Sequence, residues 1–229
     1  MINPPETAVL QQAGSARHQE EPTVWQDPTN PQKQKLSIRA LEELGAPESV
    51  KLLDYGCGNG ALAGVFYDRG YRVSAIDISE TRIADGSARF SGVQFRVVRP
   101  HEPVSFAAGA FDAIFCSEVI EHVYDVHFIF GEFSRLLRPG GLLILTTPYH
   151  GRIKNVIVSL FFFERHFDPT WEHIRFWTRK SLTKVCTAHG LQPIKWASVG
   201  RFWPVPKSFF VVCRRKQGAG SMGQGGGKS

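Results

Sequence analysis

The sequence predicts an α/β fold with a doubly wound, mostly parallel sheet, and three features carry that prediction. Short apolar runs alternate with amphipathic stretches over the middle of the chain. A glycine-rich turn, Gly56-Cys57-Gly58-Asn59-Gly60, separates the first apolar run from the first amphipathic stretch. The last two apolar runs follow one another with only a Gly/Pro-containing connection between them, the pattern of an antiparallel hairpin added to a parallel sheet.

In chain order, residues 1–33 carry Pro4, Pro5, Pro22, Pro28 and Pro31 among polar residues and are expected to form a flexible N-terminal arm. Leu36, Ile38, Leu41 and Leu44 make a short helical pattern that ends at Gly45-Ala46-Pro47. Strands are expected over 51–55, 72–76, 94–98, 113–116 and 142–146, with helices over 61–69, 80–90 and 127–137 between them. Leu137-Arg138-Pro139-Gly140-Gly141 reads as a turn before the fifth strand. An insert over 150–173, rich in phenylalanine, precedes a helix over 178–189 and the hairpin strands at 191–199 and 208–214. One domain is therefore expected over 34–215, followed by a disordered Gly-rich tail over 216–229.

A chain of 229 residues with 42% hydrophobic and 21% charged residues is globular in composition, which excludes a disordered or collagen-like polymer. Its +6 net charge suits an anionic cofactor, an anionic lipid surface or RNA without choosing among them. The four cysteines form no CxxC pair, so neither a disulfide framework nor a thiolate zinc site is expected and a reducing cytoplasm fits. No apolar run reaches the ~18 residues of a membrane span.

The glycines at 56, 58 and 60 permit a tight turn and close approach of a ligand to backbone N–H groups at a helix N-terminus. Gly56, Gly58 and Ala61 also satisfy the dinucleotide form G-x-G-x-x-A, leaving NAD open at this point. Two carboxylates argue otherwise. Asp54, just before the turn, would repel a diphosphate but accept from a cationic amino group, and Asp77, at the end of the second strand, is placed to grip ribose hydroxyls. Together they favour a ligand with an amino acid at one end and an adenosine at the other.

With LDYGCGNGALA, AIDIS, FDAIFCSEVIEHV and LLRPGGLLILTTPY in that order, residues 35–215 resemble the class I S-adenosylmethionine-dependent methyltransferases. The resemblance implies a Rossmann-like fold and S-adenosyl-L-methionine as cofactor. It places Asp54, Gly56, Gly58 and Gly60 around the methionine part, Asp77 on ribose and Ile78 against adenine, with Cys57 and Glu118 also expected to bind the cofactor. Where the family has an acidic residue after strand three, this chain has Pro100, so adenine is expected to be held by backbone or a neighbour.

A second constellation begins after the fourth strand, where a helical turn would align Glu118, Glu121 and His122 at i, i+3 and i+4. Glu-x-x-Glu-His resembles the ubiquinone-pathway O-methyltransferases and the small-RNA 2′-O-methyltransferases. That likeness implies a divalent metal (Mg or Mn) on Glu118, Glu121, His122 and His173, with His122 and Glu118 catalytic. Without metal, His122 would serve alone as base. His127, His150, His166 and His189 read as surface or packing residues. Tyr149, past the fifth strand, is a candidate substrate contact, and Phe162 in the insert either packs in core or lid or walls a substrate pocket.

The function expected is methylation of a small-molecule or lipid-linked hydroxyl. The alternatives are an RNA 2′-O-methyltransferase, an NAD-binding oxidoreductase and a non-catalytic cofactor binder.

Overall fold

The computed structural model describes residues 27–166, 174–200 and 205–217. Helix α1 (Asn30–Leu41) leads through two short 3₁₀ turns into β1 (Lys51–Tyr55), then α2 (Ala61–Asp68), β2 (Arg72–Asp77), α3 (Glu80–Arg89) and β3 (Gln94–Val97). The chain continues with β4 (Phe111–Ser117), α4 (Val126–Leu136), β5 (Leu137–Pro148), α5 (Arg152–Phe161), α6 (Phe163–His166), α7 (Arg179–Ala188), β6 (Leu191–Val199) and β7 (Ser208–Arg215). The seven strands form one sheet in the order β3-β2-β1-β4-β5-β7-β6. The first five are parallel, and β7 lies antiparallel between β5 and β6.

Period-two alternation divides the core between the two faces of this sheet. Leu53, Ile114, Leu143, Leu145 and Val211 face α4 and α7 through Phe130, Phe133 and Leu182. Leu52, Ala113, Phe115, Ile144 and Phe210 face α1 and α2 through Leu41, Ala63 and Phe66. The helices start where sequence chemistry allows: the side chain of Ser79 accepts from Arg82 N–H, Asp125 accepts from Phe128 N–H, and Thr178 and Ser181 cap α7 reciprocally. Strand order reverses at β1 and β4, so the carboxyl ends of these strands open the crevice that α/β sheets use for ligands.

Two sequence expectations change. The arm expected over 1–33 gives way to ordered chain from Asp27, because Pro31 sits in the first turn of α1 and Lys33, Ser37, Ala40 and Leu41 are buried. Residues 1–26 and nearly all of the expected tail, 218–229, lie outside the described residues. The turn expected over 137–141 is instead the first part of β5. Leu137 pairs with Phe111, a bulge intervenes before Ala113 pairs with Leu142, and Gly140 absorbs the irregularity at φ 77°. An Arg138–Asp112 ion pair of 2.5 Å ties the bulge together.

Candidate active site

The β1–α2 turn is held open by backbone geometry. Gly56, Gly58 and Gly60 all have positive φ, and Gly56 and Cys57 N–H both donate to the Ile76 carbonyl, at 2.8 and 3.0 Å. A Cβ on Gly56 would come within 2.4 Å of Val119, whereas one on Gly58 would meet nothing closer than Arg82 at 3.9 Å, so the turn leaves room above Gly58. Asp77 is fixed from both sides: Gly58 N–H donates to its Oδ2 at 2.8 Å and Ser79 N–H to its Oδ1 at 3.0 Å. Each carboxylate oxygen keeps a lone pair for a further donor, as a ribose diol requires. Ile78 next to it is exposed.

Asp54 is buried, and among the described residues its Oδ2 has no hydrogen-bond partner. Burial, reinforced by the charge of Asp77, pushes its carboxyl up to about 8, against a small opposing effect of the Ala63 N–H. A buried carboxylate oxygen left unmatched at the sheet edge is what a ligand ammonium would satisfy. The two carboxylates thus fit S-adenosylmethionine in chemistry: an unmatched oxygen suited to an ammonium and an anchored carboxylate suited to a diol. Burial, with Asp54 and Asp77 adding to it, raises the Cys57 thiol well above the ordinary thiol range, which keeps it neutral beside them.

At the end of β4 the chain does not enter a helix. Glu118 adopts φ 54°, turns follow, and helix resumes only at Val126. Glu118 accepts from the Thr146 hydroxyl at 2.8 Å and lies 3.3 Å from the Lys33 ammonium. Glu121 is fully buried and accepts from the Thr147 hydroxyl at 3.1 Å, while its Oε1 lies 4.0 Å from His122 Nε2. Burial and the charge of Glu118 hold Glu121 well above the usual carboxylate range, against the opposing pull of its own backbone N–H, Thr147 and Lys33. The main chain of this segment is clamped from the far side of the insert: Ile174 and Arg175 N–H donate to the Glu121 carbonyl, and Arg175 reaches the Val123 and Tyr124 carbonyls.

A model of the family described as a methyltransferase domain matches residues 30–195, most of the chain. The chain belongs to that methyltransferase-domain family. A ubiquinone biosynthesis O-methyltransferase of Xanthomonas axonopodis pv. citri is 37% identical over 132 residues, covering 54% of this chain and 55% of the relative. One from Rhizobium leguminosarum bv. trifolii is 33% identical over 153 residues, covering 63% and 60%. The chain thus spans little more than half the length of these curated relatives. Among solved structures, the 1,6-didemethyltoxoflavin-N1-methyltransferase of Burkholderia thailandensis, with bound 1,6-didemethyltoxoflavin and S-adenosylhomocysteine, superposes with a TM-score of 0.71. It is 19% identical and covers 95% of this chain and 92% of its own, a likeness of fold.

The methyltransferase domain does not align the expected metal ligands. Glu118, Glu121 and His122 lie on a turn rather than on one helical face, and among the described residues no three His, Cys, Asp or Glu side chains come together as a metal-binding group. Glu118 and Glu121 are instead engaged by Lys33, Thr146 and Thr147, so the donors present do not fit a divalent ion as a set. His173 lies outside the described residues. Tyr149 is buried with its ring 4.7 Å from Phe209, at the functional edge. Phe162 is exposed rather than core. His150 packs on Phe176, and His127 bonds His189 at 3.0 Å, in keeping with packing and surface roles. Lys33 is the residue that sequence reasoning missed. The Asn30-Pro31 pair signals the start of the helix that carries it, but nothing in the sequence marks Lys33 as facing inward.

Proposed function

We propose that this chain transfers the methyl group of S-adenosylmethionine to a hydroxyl oxygen of a small or lipid-linked acceptor. The observation that carries the reading is the unmatched Asp54 Oδ2 at one end of the glycine turn and the doubly anchored Asp77 at the other. They are complementary to an ammonium and a diol on one ligand. Oxygen as the accepting atom is favoured by the curated relatives, which are named O-methyltransferases.

When bound, the cofactor supplies an electrophilic methyl carbon on a sulfonium. Transfer forms an oxygen–carbon bond, breaks the carbon–sulfur bond with its electron pair going to sulfur, and needs a base for the acceptor proton. In this reading His122 takes that proton, with buried Glu121 beside it, its Oε1 4.0 Å from His122 Nε2. Glu118, with its strained backbone and Lys33 partner, shapes the floor near the methionine part. Tyr149 and Phe162 are proposed acceptor contacts. A cytoplasmic setting, where the four free thiols stay reduced, belongs to the same reading.

The test is transfer of labelled methyl from S-adenosylmethionine to phenols and catechols with and without polyprenyl tails. Transfer should occur, and His122→Ala should abolish it while calorimetric cofactor binding persists. Binding of NAD in place of S-adenosylmethionine, or transfer to RNA ends alone, overturns the proposal. A chelation arm reports separately on metal: loss of turnover restored by Mn²⁺ or Mg²⁺ would return Glu118, Glu121 and His122 to the ligand role.

A further inference from the structure

Helix α5 is built the wrong way round for a helix that serves a protein core. At 3.6 residues per turn, Ile153, Val156, Ile157, Leu160 and Phe161 share one arc of about 140°. That arc faces solvent: all five are exposed, Leu160 by 70% and Phe161 by 73%, and the helix contributes no buried residue. The partly covered positions are the more polar side, Lys154 and Asn155, with Val158. Two further exposed rings, Phe162 and Phe163, extend the apolar face past the helix end. A contiguous patch of this kind on a globular protein marks an interaction surface.

The charges select its occupant. Arg152, exposed, falls at one border of the apolar arc, Lys154 at the other donates its ammonium to the Tyr149 carbonyl at 2.7 Å, and no acidic residue occurs between 150 and Glu164. A long cationic side chain such as Arg152 at the margin of an apolar face places its guanidinium at headgroup level while the face enters the acyl boundary. A second copy of this helix would bring only more cations to those borders. The chain's net charge of +6 has the same sign. Because α5 follows directly on the carboxyl end of β5, it stands at the sheet edge that holds the glycine turn.

We infer that α5 and the phenylalanines after it form an interfacial docking surface for an anionic lipid bilayer, lying in the headgroup plane without spanning. Among the described residues no helix is long and apolar enough to cross a membrane, so the contact is peripheral. The inference does not depend on which acceptor is methylated.

The test is co-sedimentation of the full chain with vesicles of phosphatidylcholine alone and of phosphatidylcholine with phosphatidylglycerol. The chain should sediment with the anionic vesicles, less with the neutral ones, and less again at high salt. Val156→Glu combined with Leu160→Glu, both on the exposed face, should cut the bound fraction at least ~tenfold with cofactor affinity unchanged. Arg152→Gln should weaken binding to anionic vesicles more than to neutral ones. The inference is overturned if the parent chain stays in the supernatant at millimolar lipid, or if the double variant sediments like the parent. It is equally overturned if light scattering shows a dimer that the double variant dissolves, which would give the face to a second copy.

Discussion

The Lys33 ammonium lies 2.9 Å from Asp27 Oδ2 and 3.3 Å from Glu118 Oε1, with 1% of the lysine side chain exposed. Asp27 also accepts from Lys207 at 2.8 Å, so one buried cluster pins the start of α1, the end of β4 and the β6–β7 connection to one another. Burial alone would raise the Asp27 carboxyl, yet the two lysines and Thr29 hold it well below the usual carboxylate range.

Removing the central cation should therefore cost far more than a surface ion pair. Lys33→Met leaves Asp27 and Glu118 facing each other's field without Lys33, and a loss of ~3–5 kcal/mol in denaturant unfolding is expected. Adding Asp27→Asn should recover part of it. A loss under ~1 kcal/mol in the single variant would mean that the cluster is solvated rather than buried.

Cofactor binding should depend on pH through Asp54. Its carboxyl titrates near 8 in the free protein, and an incoming ammonium requires the ionised form, so binding below that value must expel a proton. Affinity for S-adenosylmethionine should fall by up to ~tenfold per unit as pH drops below 8. Calorimetry in buffers of different ionisation enthalpy would count the proton, and a pH-independent affinity between 6 and 8 would contradict the assignment.

The same shift has a consequence for the unliganded chain. A carboxyl whose folded value is raised above its unfolded one stabilises the fold fully only below about pH 4, and that contribution drains away as pH rises toward 8. Asp54→Asn should then raise the melting temperature of the unliganded protein at pH 8 while weakening cofactor binding. A variant that melts lower at pH 8 would show that the carboxylate is already matched.

Asp77→Ala should weaken S-adenosylmethionine by ~1–3 kcal/mol, since two backbone N–H anchors and the diol contact are lost together. Unchanged affinity would move the ribose elsewhere.

Gly56→Ala meets two obstacles: a left-handed φ of 77° and a Cβ position 2.4 Å from Val119. A loss of ~2–4 kcal/mol in stability is expected. Combining it with Val119→Ala should return the steric part and leave the conformational part. If the double variant gains nothing, the Val119 contact is not what excludes a side chain at Gly56.

The sheet was readable because buried parallel strands announce themselves as apolar runs and because Asp77 stands where a second strand must end. Gly56 and its companions were equally plain, since few backbones need three positive φ values in five residues. Lys33 was not, because its importance arises from Asp27 and Glu118, which meet it only after folding, and from Lys207, which then shares Asp27 with it. The Arg138-Pro139-Gly140-Gly141 stretch carries strong turn chemistry, yet pairing of Leu137 with Phe111 overrides it. Glu118, Glu121 and His122 failed as a helical triad because the positive φ at Glu118 breaks the spacing that would have aligned them.

The placement of β7 between β5 and β6 bears on how the protein is made. During synthesis β5 acquires its β4 neighbour early, but its other edge, Leu142–Pro148, stays unpaired until residue 208 and those after it have emerged. For that interval a nascent chain displays an apolar strand edge beside a nearly finished sheet, the kind of template on which neighbouring nascent chains join. Slowing translation between 148 and 208 should lengthen the exposure and lower soluble yield, even though the finished protein would be identical.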